Sequence, residues 1–210
     1  MKVEIIVAGS YEVNCYLISD STKDAVIVDP GAEGPSIIAH IKEKGLNLKA
    51  ILITHGHFDH IGAAEELRDA FGAEIIAHEK GKQYLEDISY NLSFRVGREH
   101  ISFSADRYVS DGEIIKINDK ELQFKVIYVP GHSADGVAYY QEKEKAVFVG
   151  DILFAGAIGR SDLPGGNSRQ LLEGIKQKLF TLSNQVKVYT GHGDITTIGH
   201  EKQTNPYFAG

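Results

Sequence analysis

Residues 50–60 read Ala-Ile-Leu-Ile-Thr-His-Gly-His-Phe-Asp-His. The first four residues form a continuous apolar run, which is typical of a strand buried on both faces of a sheet. Directly after this run, His55, His57, Asp59 and His60 fall within six residues. Imidazole and carboxylate groups together suit zinc, iron or manganese. The stretch therefore predicts a metal site at the end of a buried strand.

The spacing inside this stretch leaves room for two metal ions. Residues two apart in an extended segment point the same way, so His55 and His57 could bind one ion. The chain then turns into a helix predicted for residues 61–71, where Asp59 and His60 could face a second ion. A lone aspartate at this place would be better explained as a helix N-cap. Three histidines in the same six residues make that interpretation of Asp59 weaker.

Three further ligand-type residues follow predicted strands. His132 comes after the apolar residues 126–129, Asp151 after 146–149 and His192 after 186–189. A glycine stands immediately before each of the three, and glycine allows the backbone to approach a site closely. One such pair is weak evidence by itself. Three of them after a His-x-His-x-Asp-His stretch together indicate a metal centre built from several strand ends.

The order of predicted elements indicates two packed sheets with helices outside. Both halves of the chain show a strand meander followed by a helix and a strand, with no linker between them, and we therefore expect a single domain over residues 1–210. Residues 86–106 have no clean period, and a loop of that length is often functional. The predicted strands are residues 3–7, 14–18, 25–28, 50–53, 74–77, 114–117, 122–129, 137–140, 146–149 and 186–189. The predicted helices are residues 35–45, 61–71, 80–85 and 169–179.

The composition of the chain narrows the classes of molecule that the protein is expected to bind. The formal net charge of −7 and the pI near 5.7 disfavour nucleic acid, whose binding depends largely on neutralising phosphates. The chain has no apolar stretch of the eighteen or so residues that a bilayer span needs, and no signal-peptide pattern at Met1. Its one cysteine, Cys15, excludes an intrachain disulfide and is expected to be a small buried apolar residue. We expect a cytoplasmic protein that acts on a small molecule and does not bind a membrane.

The metal motifs resemble those of the metallo-β-lactamase superfamily, at residues 54–60, Gly131-His132, Gly150-Asp151 and Gly191-His192. The resemblance implies an α/β fold, a four-layer αββα sandwich, with two divalent metal ions at one edge of the sheets. Zinc is the first expectation, with iron or manganese as alternatives. The implied ligands are His55, His57 and His132 for the first ion, Asp59, His60 and His192 for the second, and Asp151 as a bridge. Asp59 and Asp151 would then be catalytic through a hydroxide that the two ions share.

Two further segments narrow the resemblance. Residues 159–166 and the tail from Thr197 to Asn205-Pro206 are similar to the short bacterial glyoxalase II-like hydrolases, which implies S-lactoylglutathione or a related thioester as substrate. Full-length glyoxalase II holds glutathione with a C-terminal helical domain, whereas this chain ends soon after His192, so a looser grip on glutathione is expected. Arg160 could bind a substrate carboxylate. It could instead pair with Asp162 and hold the loop.

Other functions remain open at this level. A persulfide dioxygenase with a single iron shares the similar Gly-Arg-Thr-Asp-like segment and Asn-Pro tail, and a lactonase is a further alternative. A secreted β-lactamase is disfavoured by the lack of a signal sequence and by Asp151, where many such enzymes carry cysteine. A nuclease is disfavoured by the acidic charge. A non-catalytic binding module would be expected to have lost metal ligands, and none of the seven is missing here. The sequence does not predict an oligomeric state.

Overall fold

The computed structural model describes residues 1–95, 100–118 and 121–208. In this part of the chain the helices are α1 (Gly34–Glu43), α2 (Phe58–Ile61), α3 (Ala64–Phe71), α4 (Gly81–Glu86), α5 (Ser168–Gln177) and α6 (Ile198–Thr204). The strands are β1 (Lys2–Ala8), β2 (Val13–Ser19), β3 (Asp24–Val28), β4 (Asn47–Leu52), β5 (Glu74–His78), β6 (Arg107–Val109), β7 (Ile114–Lys116), β8 (Gln123–Tyr128), β9 (Val137–Gln141), β10 (Ala146–Gly150), β11 (Leu153–Phe154), β12 (Ala157–Ile158), β13 (Lys187–Thr190) and β14 (Thr196–Thr197).

The N-terminal half forms a sheet with the strand order β1-β2-β3-β4-β5-β6. Strands β1 to β3 pair antiparallel, whereas β3 to β6 pair parallel. Parallel neighbours need crossover connections, and α1, α2 with α3, and α4 lie in these connections. Because β3 and β4 are central, residues 25–28 of β3 and 50–52 of β4 are buried on both faces, as the apolar run at residues 50–53 predicted for β4.

The C-terminal half forms a second sheet with the order β14-β13-β10-β9-β8-β7. Its only parallel pair within the described residues is β10 with β13, and α5 lies in the connection between them. The carboxyl ends of β3, β4, β10 and β13 therefore meet at one edge of the two sheets. Ligands of open α/β sheets gather at such edges.

Three apolar clusters fill the space between four layers. The central cluster joins side chains of both sheets, such as Val28 and Leu52 of the first with Phe124 and Phe148 of the second. A second cluster lies between the first sheet and the helices α1 and α3. The third lies between the second sheet and α5, where Leu171 and Ile175 are buried. This layering confirms the predicted αββα sandwich. That residues 1–210 form one domain stays a prediction.

The helix predicted for residues 61–71 is in fact two helices, and that part of the prediction was wrong. The break lies at Gly62 and Ala63, where the loop after β3 crosses the helix. The Ala63 N–H donates to the carbonyl of Pro30 at 2.9 Å, and a Cβ at Gly62 would lie 2.2 Å from the carbonyl oxygen of Gly31. This close approach fixes the end of α2, the helix that carries two of the predicted ligands.

The sequence also missed the small elements β6, β11, β12, β14 and α6. Each is short, and none has a distinct hydrophobic period by which it could be recognised. Residues 96–99 of the long aperiodic stretch lie outside the described residues. Within the described part of the chain, no helix has the length and apolar character needed to cross a bilayer.

Candidate metal centre

All seven predicted ligands come together at the shared edge of the sheets. His55 and His57 lie in the turn that follows β4, and Asp59 and His60 occupy the first turn of α2. The other three follow strands of the second sheet: His132 after β8, Asp151 after β10 and His192 after β13. The aspartate is not the N-cap of α2, because that position belongs to His57.

The first group consists of His55, His57 and His132. Each offers a nitrogen, and these nitrogens lie within 4.8 Å of one another, at a place where all three side chains are buried. Nδ1 of His57 lies 3.0 Å from Nε2 of His132. Three imidazole nitrogens that converge in this way form a donor set for a transition metal.

The second group consists of Asp59, His60 and His192, whose ligand atoms also lie within 4.8 Å of one another. Oδ2 of Asp59 lies 3.3 Å from Nε2 of His192 and 3.8 Å from Nε2 of His60. His60 is fully buried, whereas the other two are partly exposed. The second group thus faces the opening of the site, which is the side from which a substrate can approach.

Asp151 lies between the two groups, and its two carboxylate oxygens face different groups. Oδ2 lies 3.7 Å from Nε2 of His132, in the first group. Oδ1 lies 3.3 Å from Nε2 of His60 and 3.7 Å from Nε2 of His192, in the second. This geometry fits a carboxylate that bridges two ions. A Cβ at Gly191 would lie 2.2 Å from Oδ1 of Asp151, so the glycine before His192 is required by close approach.

Several buried polar atoms here have no hydrogen-bond partner in the described part of the protein. They include Nε2 of His55 and His60 and Oδ1 of Asp151. Buried polar atoms are nearly always paired, and leaving three of them unpaired in one cluster would be costly. Metal ions would satisfy them, and the residues present therefore fit such ions.

Asp29 and Thr54 orient two of the histidines from the side that faces away from the metal centre. Asp29 accepts hydrogen bonds from the Thr54 N–H at 2.8 Å and the Thr54 hydroxyl at 2.6 Å. Its Oδ2 also lies 3.0 Å from Nδ1 of His60, and the Thr54 hydroxyl oxygen lies 3.2 Å from Nδ1 of His55. Protons on these Nδ1 atoms leave both Nε2 atoms as electron-pair donors toward the centre. Asp29, His55 and His60 also lie close enough to hold an ion, but the carboxylate of Asp29 is already engaged.

Two loops fix the remaining ligands. Nδ1 of His132 lies 2.7 Å from the carbonyl oxygen of Arg160, and a carbonyl can only accept, so the proton sits on Nδ1 and Nε2 faces the centre. Between His55 and His57, the Gly56 N–H donates to Oδ2 of the buried Asp135 at 2.8 Å. Oδ1 of Asp135 has no hydrogen-bond partner in the described part of the chain. These contacts hold the ligand loops without using the ligand atoms.

The protonation of the first group suits metal binding. Burial lowers the pKa of His57 to about 3, with the neighbouring His132 acting in the same direction. Burial also holds the pKa of His55 well below its usual range and lowers that of His132. These imidazoles are therefore neutral at pH 7, which is the form that binds a metal.

The second group is governed by the carboxylates. Burial acts to lower the pKa of His60, but Asp151 and Asp59 outweigh it and raise that pKa well above its usual range. Burial acts to raise the pKa of Asp151, yet His60 and the other histidines hold it well below the ordinary value. Excess negative charge in this group attracts positive charge, which a proton or a metal ion can supply.

The guanidinium of Arg160 makes two hydrogen bonds to Asp162, each at 2.7 Å, and both side chains are largely exposed. This pairing with Asp162 is one of the two alternatives that the sequence left open for Arg160. Its predicted contact with a substrate carboxylate stays a prediction. Cys15 is fully buried, and burial raises the pKa of its thiol well above the usual range, so it is no nucleophile at neutral pH.

Sequence reasoning missed Asp29 and Asp135. Asp29 was not among the predicted site residues; it follows β3 with a φ of 50°, in the left-handed region. Its position at the end of a central strand, next to the strand that carries His55, was the available signal. Asp135 carried no signal, because only the tertiary fold brings it against Gly56.

Comparison with known proteins agrees with this geometry. Residues 8–192 match the family model described as the metallo-beta-lactamase superfamily. The chain belongs to the metallo-β-lactamase superfamily. A curated relative from Haemophilus influenzae, named hydroxyacylglutathione hydrolase GloC, is 39% identical over 209 residues, which are 99% of this chain and 98% of the relative. With its His/Asp cluster, the protein is therefore a metallo-hydrolase of this superfamily.

Solved structures of the superfamily superpose closely on the chain. BLEG-1, described as a B3 metallo-beta-lactamase, has a TM-score of 0.94 at 38% identity, with full coverage of both chains. TTHA1623 in a di-iron-bound form has a TM-score of 0.86 at 34% identity and covers 98% of this chain and 100% of its own. ETHE1 from Myxococcus xanthus has a TM-score of 0.82 at 29% identity and covers 98% of this chain and 84% of its own.

Proposed function

We propose that the protein is a dinuclear metal-dependent hydrolase of the glyoxalase II type, which cleaves S-lactoylglutathione or a related thioester. The observation that carries the proposal is the placement of Asp151, with Oδ2 toward His132 and Oδ1 toward His60 and His192. A carboxylate that faces two donor sets is suited to hold two ions side by side.

The first ion would be held by His55, His57 and His132, and the second by Asp59, His60 and His192, with Asp151 shared by both. The unpaired buried atoms of His55, His60 and Asp151 support this assignment. The di-iron form of the similar TTHA1623 supports two ions as well. We propose zinc first, with iron or manganese as alternatives, because the donor set of imidazole and carboxylate suits all three.

When bound, the two ions supply a water nucleophile activated at neutral pH and polarise the substrate carbonyl. The residues around the ions would orient this water and accept its proton. Oδ2 of Asp59 faces His192, while its Oδ1 makes no hydrogen bond in the described part of the chain. We therefore assign Oδ1 of Asp59 as the acceptor of a proton from the attacking water, at the partly exposed side of the site.

The thioester preference rests on the leaving group and on the relative. A free thiol has a pKa of about 8.5, so a thiolate departs with little help from a general acid. The likeness to hydroxyacylglutathione hydrolase GloC along nearly the whole chain supports glutathione as the thiol part. Arg160, whose loop follows Asp151, stays our proposal for a contact to a substrate carboxylate.

A β-lactamase is the second candidate, and one observation favours it: the full-length superposition on BLEG-1 with a TM-score of 0.94. A four-membered lactam is attacked at its carbonyl by the same kind of activated water. A persulfide dioxygenase with a single iron is the third candidate, on the resemblance of residues 159–162 and of Asn205-Pro206. A lactonase remains an alternative for the same site.

The proposal is tested with protein reconstituted separately with zinc, iron and manganese. We expect about two equivalents of metal per chain, and hydrolysis of S-lactoylglutathione followed by thiol release. A chromogenic cephalosporin, a lactone and glutathione persulfide with an oxygen electrode are assayed in parallel. His57→Ala and His192→Ala should each lower the metal content toward one equivalent, because the two residues belong to different groups.

Absence of thioester hydrolysis by protein with two bound ions would overturn the thioesterase assignment. Saturation of the wild type at one iron, with oxygen uptake, would replace it by the dioxygenase. Faster turnover of the cephalosporin than of every thioester would favour the β-lactamase. The variant Glu173→Gln, on the exposed face of α5, controls for effects of mutagenesis and purification. Its metal content and activity should equal those of the wild type.

A further inference from the structure

A cavity of about 630 Å³ opens directly beside Asp59. It lies between the turn that joins β1 to β2, the loop after β3 and the start of α2, and its lining includes Gly9, Tyr11, Gly31, Phe58 and Arg95. A volume of this size suits a small organic ligand. Because Asp59 belongs to the second donor group, a molecule in this cavity, which we call the Arg95 cavity, reaches the candidate metal centre.

One wall of the Arg95 cavity is aromatic. The rings of Tyr11 and Phe58 meet edge to face, with centroids 4.9 Å apart and an interplanar angle of 83°. Tyr11 is 54% exposed, so its ring is accessible to a ligand from solvent. These two rings can cover the apolar part of a ligand.

Arg95 is the one cation among the residues that line this cavity in the described part of the chain. Its guanidinium lies 5.4 Å from the ring centroid of Phe94. No hydrogen bond or ion pair joins it to a carboxylate within residues 1–95, 100–118 and 121–208. Its charge is therefore available to a ligand.

The turn that carries Arg95 is held by buried side chains. Asn91 and Ser93 are both fully buried. The side chain of Asn91 accepts from the Ser93 N–H at 2.9 Å and donates to the carbonyl of Ile101 at 2.8 Å. The carbonyl of Asn91 also accepts from the Phe58 N–H at 2.8 Å, which ties this turn to the start of α2. The backbone of Arg95 is thus fixed relative to the metal centre.

The charges near the opening do not cancel. Asp59, which lines the same cavity, is assigned to the metal centre, and both oxygens of the other nearby carboxylate, that of Asp162, accept hydrogen bonds from Arg160. The bond from Arg160 is the main cause that lowers the pKa of Asp162 to about 2, and the charge of Arg95 adds to it. Two guanidiniums therefore share one carboxylate, which leaves a positive charge at Arg95 for an anion.

We propose that the Arg95 cavity binds a carboxylate-bearing part of the thioester substrate. The Arg95 guanidinium pairs with that carboxylate, while Tyr11 and Phe58 pack against the adjoining apolar atoms. Arg95 is then a specificity-determining residue, in a position separate from Arg160. The inference rests on the proposed thioesterase function. A carboxylate can come from the acyl part or from the thiol part of a thioester, and the test distinguishes these sources.

The test uses four thioesters that combine two acyl groups with two thiols. The acyl group is acetyl or adipoyl, and the thiol is N-acetylcysteamine or glutathione, so that a carboxylate is present on neither part, on one, or on both. Zinc-loaded wild type is compared with Arg95→Gln, Arg95→Lys and Arg169→Gln. Arg169 is an exposed arginine of α5 that pairs with Glu173, and it provides the same chemical change away from the cavity.

We expect Arg95→Gln to lower kcat/KM about tenfold or more for carboxylate-bearing thioesters, mainly through KM. Acetyl-N-acetylcysteamine should change less than twofold, and Arg95→Lys should recover part of the loss. A loss confined to glutathione thioesters assigns the thiol part, and a loss confined to adipoyl thioesters assigns the acyl part. Equal losses on all four substrates, or none on any, would overturn the proposal.

A binding measurement separates this proposal from the proposed function. Adipate and S-methylglutathione are titrated calorimetrically into zinc-loaded wild type and Arg95→Gln. We expect at least one of the two ligands to bind about tenfold more weakly to the variant. Equal affinities for both ligands would overturn the Arg95 cavity as a carboxylate site. If the wild type hydrolyses none of the four thioesters, the proposed function fails, while the calorimetric result still decides the role of Arg95.

Discussion

Oδ2 of Asp29 lies 3.0 Å from Nδ1 of His60, and both side chains are buried. The carboxylate follows β3 and the histidine lies on α2 after β4, so the contact crosses between neighbouring parallel strands. It fixes which nitrogen of His60 faces the centre. Because the same carboxylate also accepts from Thr54, whose hydroxyl lies beside His55, Asp29 orients one histidine of each donor group.

Asp29→Asn should weaken metal binding by about ten- to a hundredfold. The amide loses the negative charge, and one of its two ends becomes a donor that cannot accept from the Thr54 hydroxyl and His60. Competition with a chromogenic zinc chelator measures the affinity. Asp69→Asn, at an aspartate that is 81% exposed, is the matched control. Equal zinc affinities for Asp29→Asn and the wild type would show that Asp29 does not orient the ligands.

Asp151→Ala should abolish turnover and lower the metal content, whereas Cys15→Ala should keep both. The first change removes the carboxylate that faces both groups, and the second removes a buried thiol that contacts no ligand atom through a hydrogen bond in the described residues. Elemental analysis and steady-state hydrolysis provide the readouts, and circular dichroism confirms folding. A folded Cys15→Ala protein that has lost activity would require a covalent mechanism instead.

Asp135 predicts a specific pH dependence of stability. Burial raises its pKa from the ordinary value of 3.8 to about 6. A carboxyl group whose pKa is higher in the folded protein stabilises the fold fully below about pH 4, and this contribution is lost as the pH rises through about 6. The contribution of Asp135 to the free energy of unfolding should therefore fall by about 1.4 kcal/mol between pH 5 and pH 8, because about one pH unit of that range lies below the raised pKa.

Asp135→Asn keeps an oxygen for the Gly56 N–H and cannot ionise. The difference in free energy of unfolding between wild type and variant, from urea titrations of zinc-loaded protein at several pH values, isolates the contribution of Asp135. The metal ligands are the same in both proteins and largely cancel in the difference. A difference that is constant from pH 5 to pH 8 would mean that Asp135 does not titrate in this range.

Glu201 connects the C-terminal helix to the hairpin of β11 and β12. This buried carboxylate accepts from the Thr196 hydroxyl at 2.5 Å, the Gly156 N–H at 3.0 Å and the Asn205 side chain at 2.8 Å. Glu201→Ala leaves these donors without a partner and should lower the free energy of unfolding by about 2–4 kcal/mol. Urea unfolding measures the loss, and Gln203→Ala, on the exposed side of the same helix, should change stability by less than about 0.5 kcal/mol. Similar stabilities of the two variants would show that the hydrogen bonds of Glu201 do not stabilise the protein.

The sequence alone was sufficient for the class of fold and for bringing out seven candidate ligands, whose metal binding stays a prediction. The ligands follow apolar strands, and the strand period and the Gly-His or Gly-Asp pairs are local features that a single segment displays. The same holds for the end of β4, where the apolar run at residues 50–53 is a direct consequence of burial on both faces. The break between α2 and α3 was not predictable, because it depends on Pro30 and Gly31 crossing the helix.

The tertiary structure decided how the ligands are divided, oriented and surrounded. Only strand order brings Asp151 between His132 and His60, and only the packed loops place Asp29, Asp135 and Arg95 near the centre. Their contacts join residues that are tens of positions apart in the chain, such as Gly56 and Asp135, and no local pattern records such pairs. The cysteine, the ligand types and the acidic balance are properties of the chain itself, whereas hydrogen-bond partners and pKa values arise from burial and neighbours, which exist only once the two sheets have packed together.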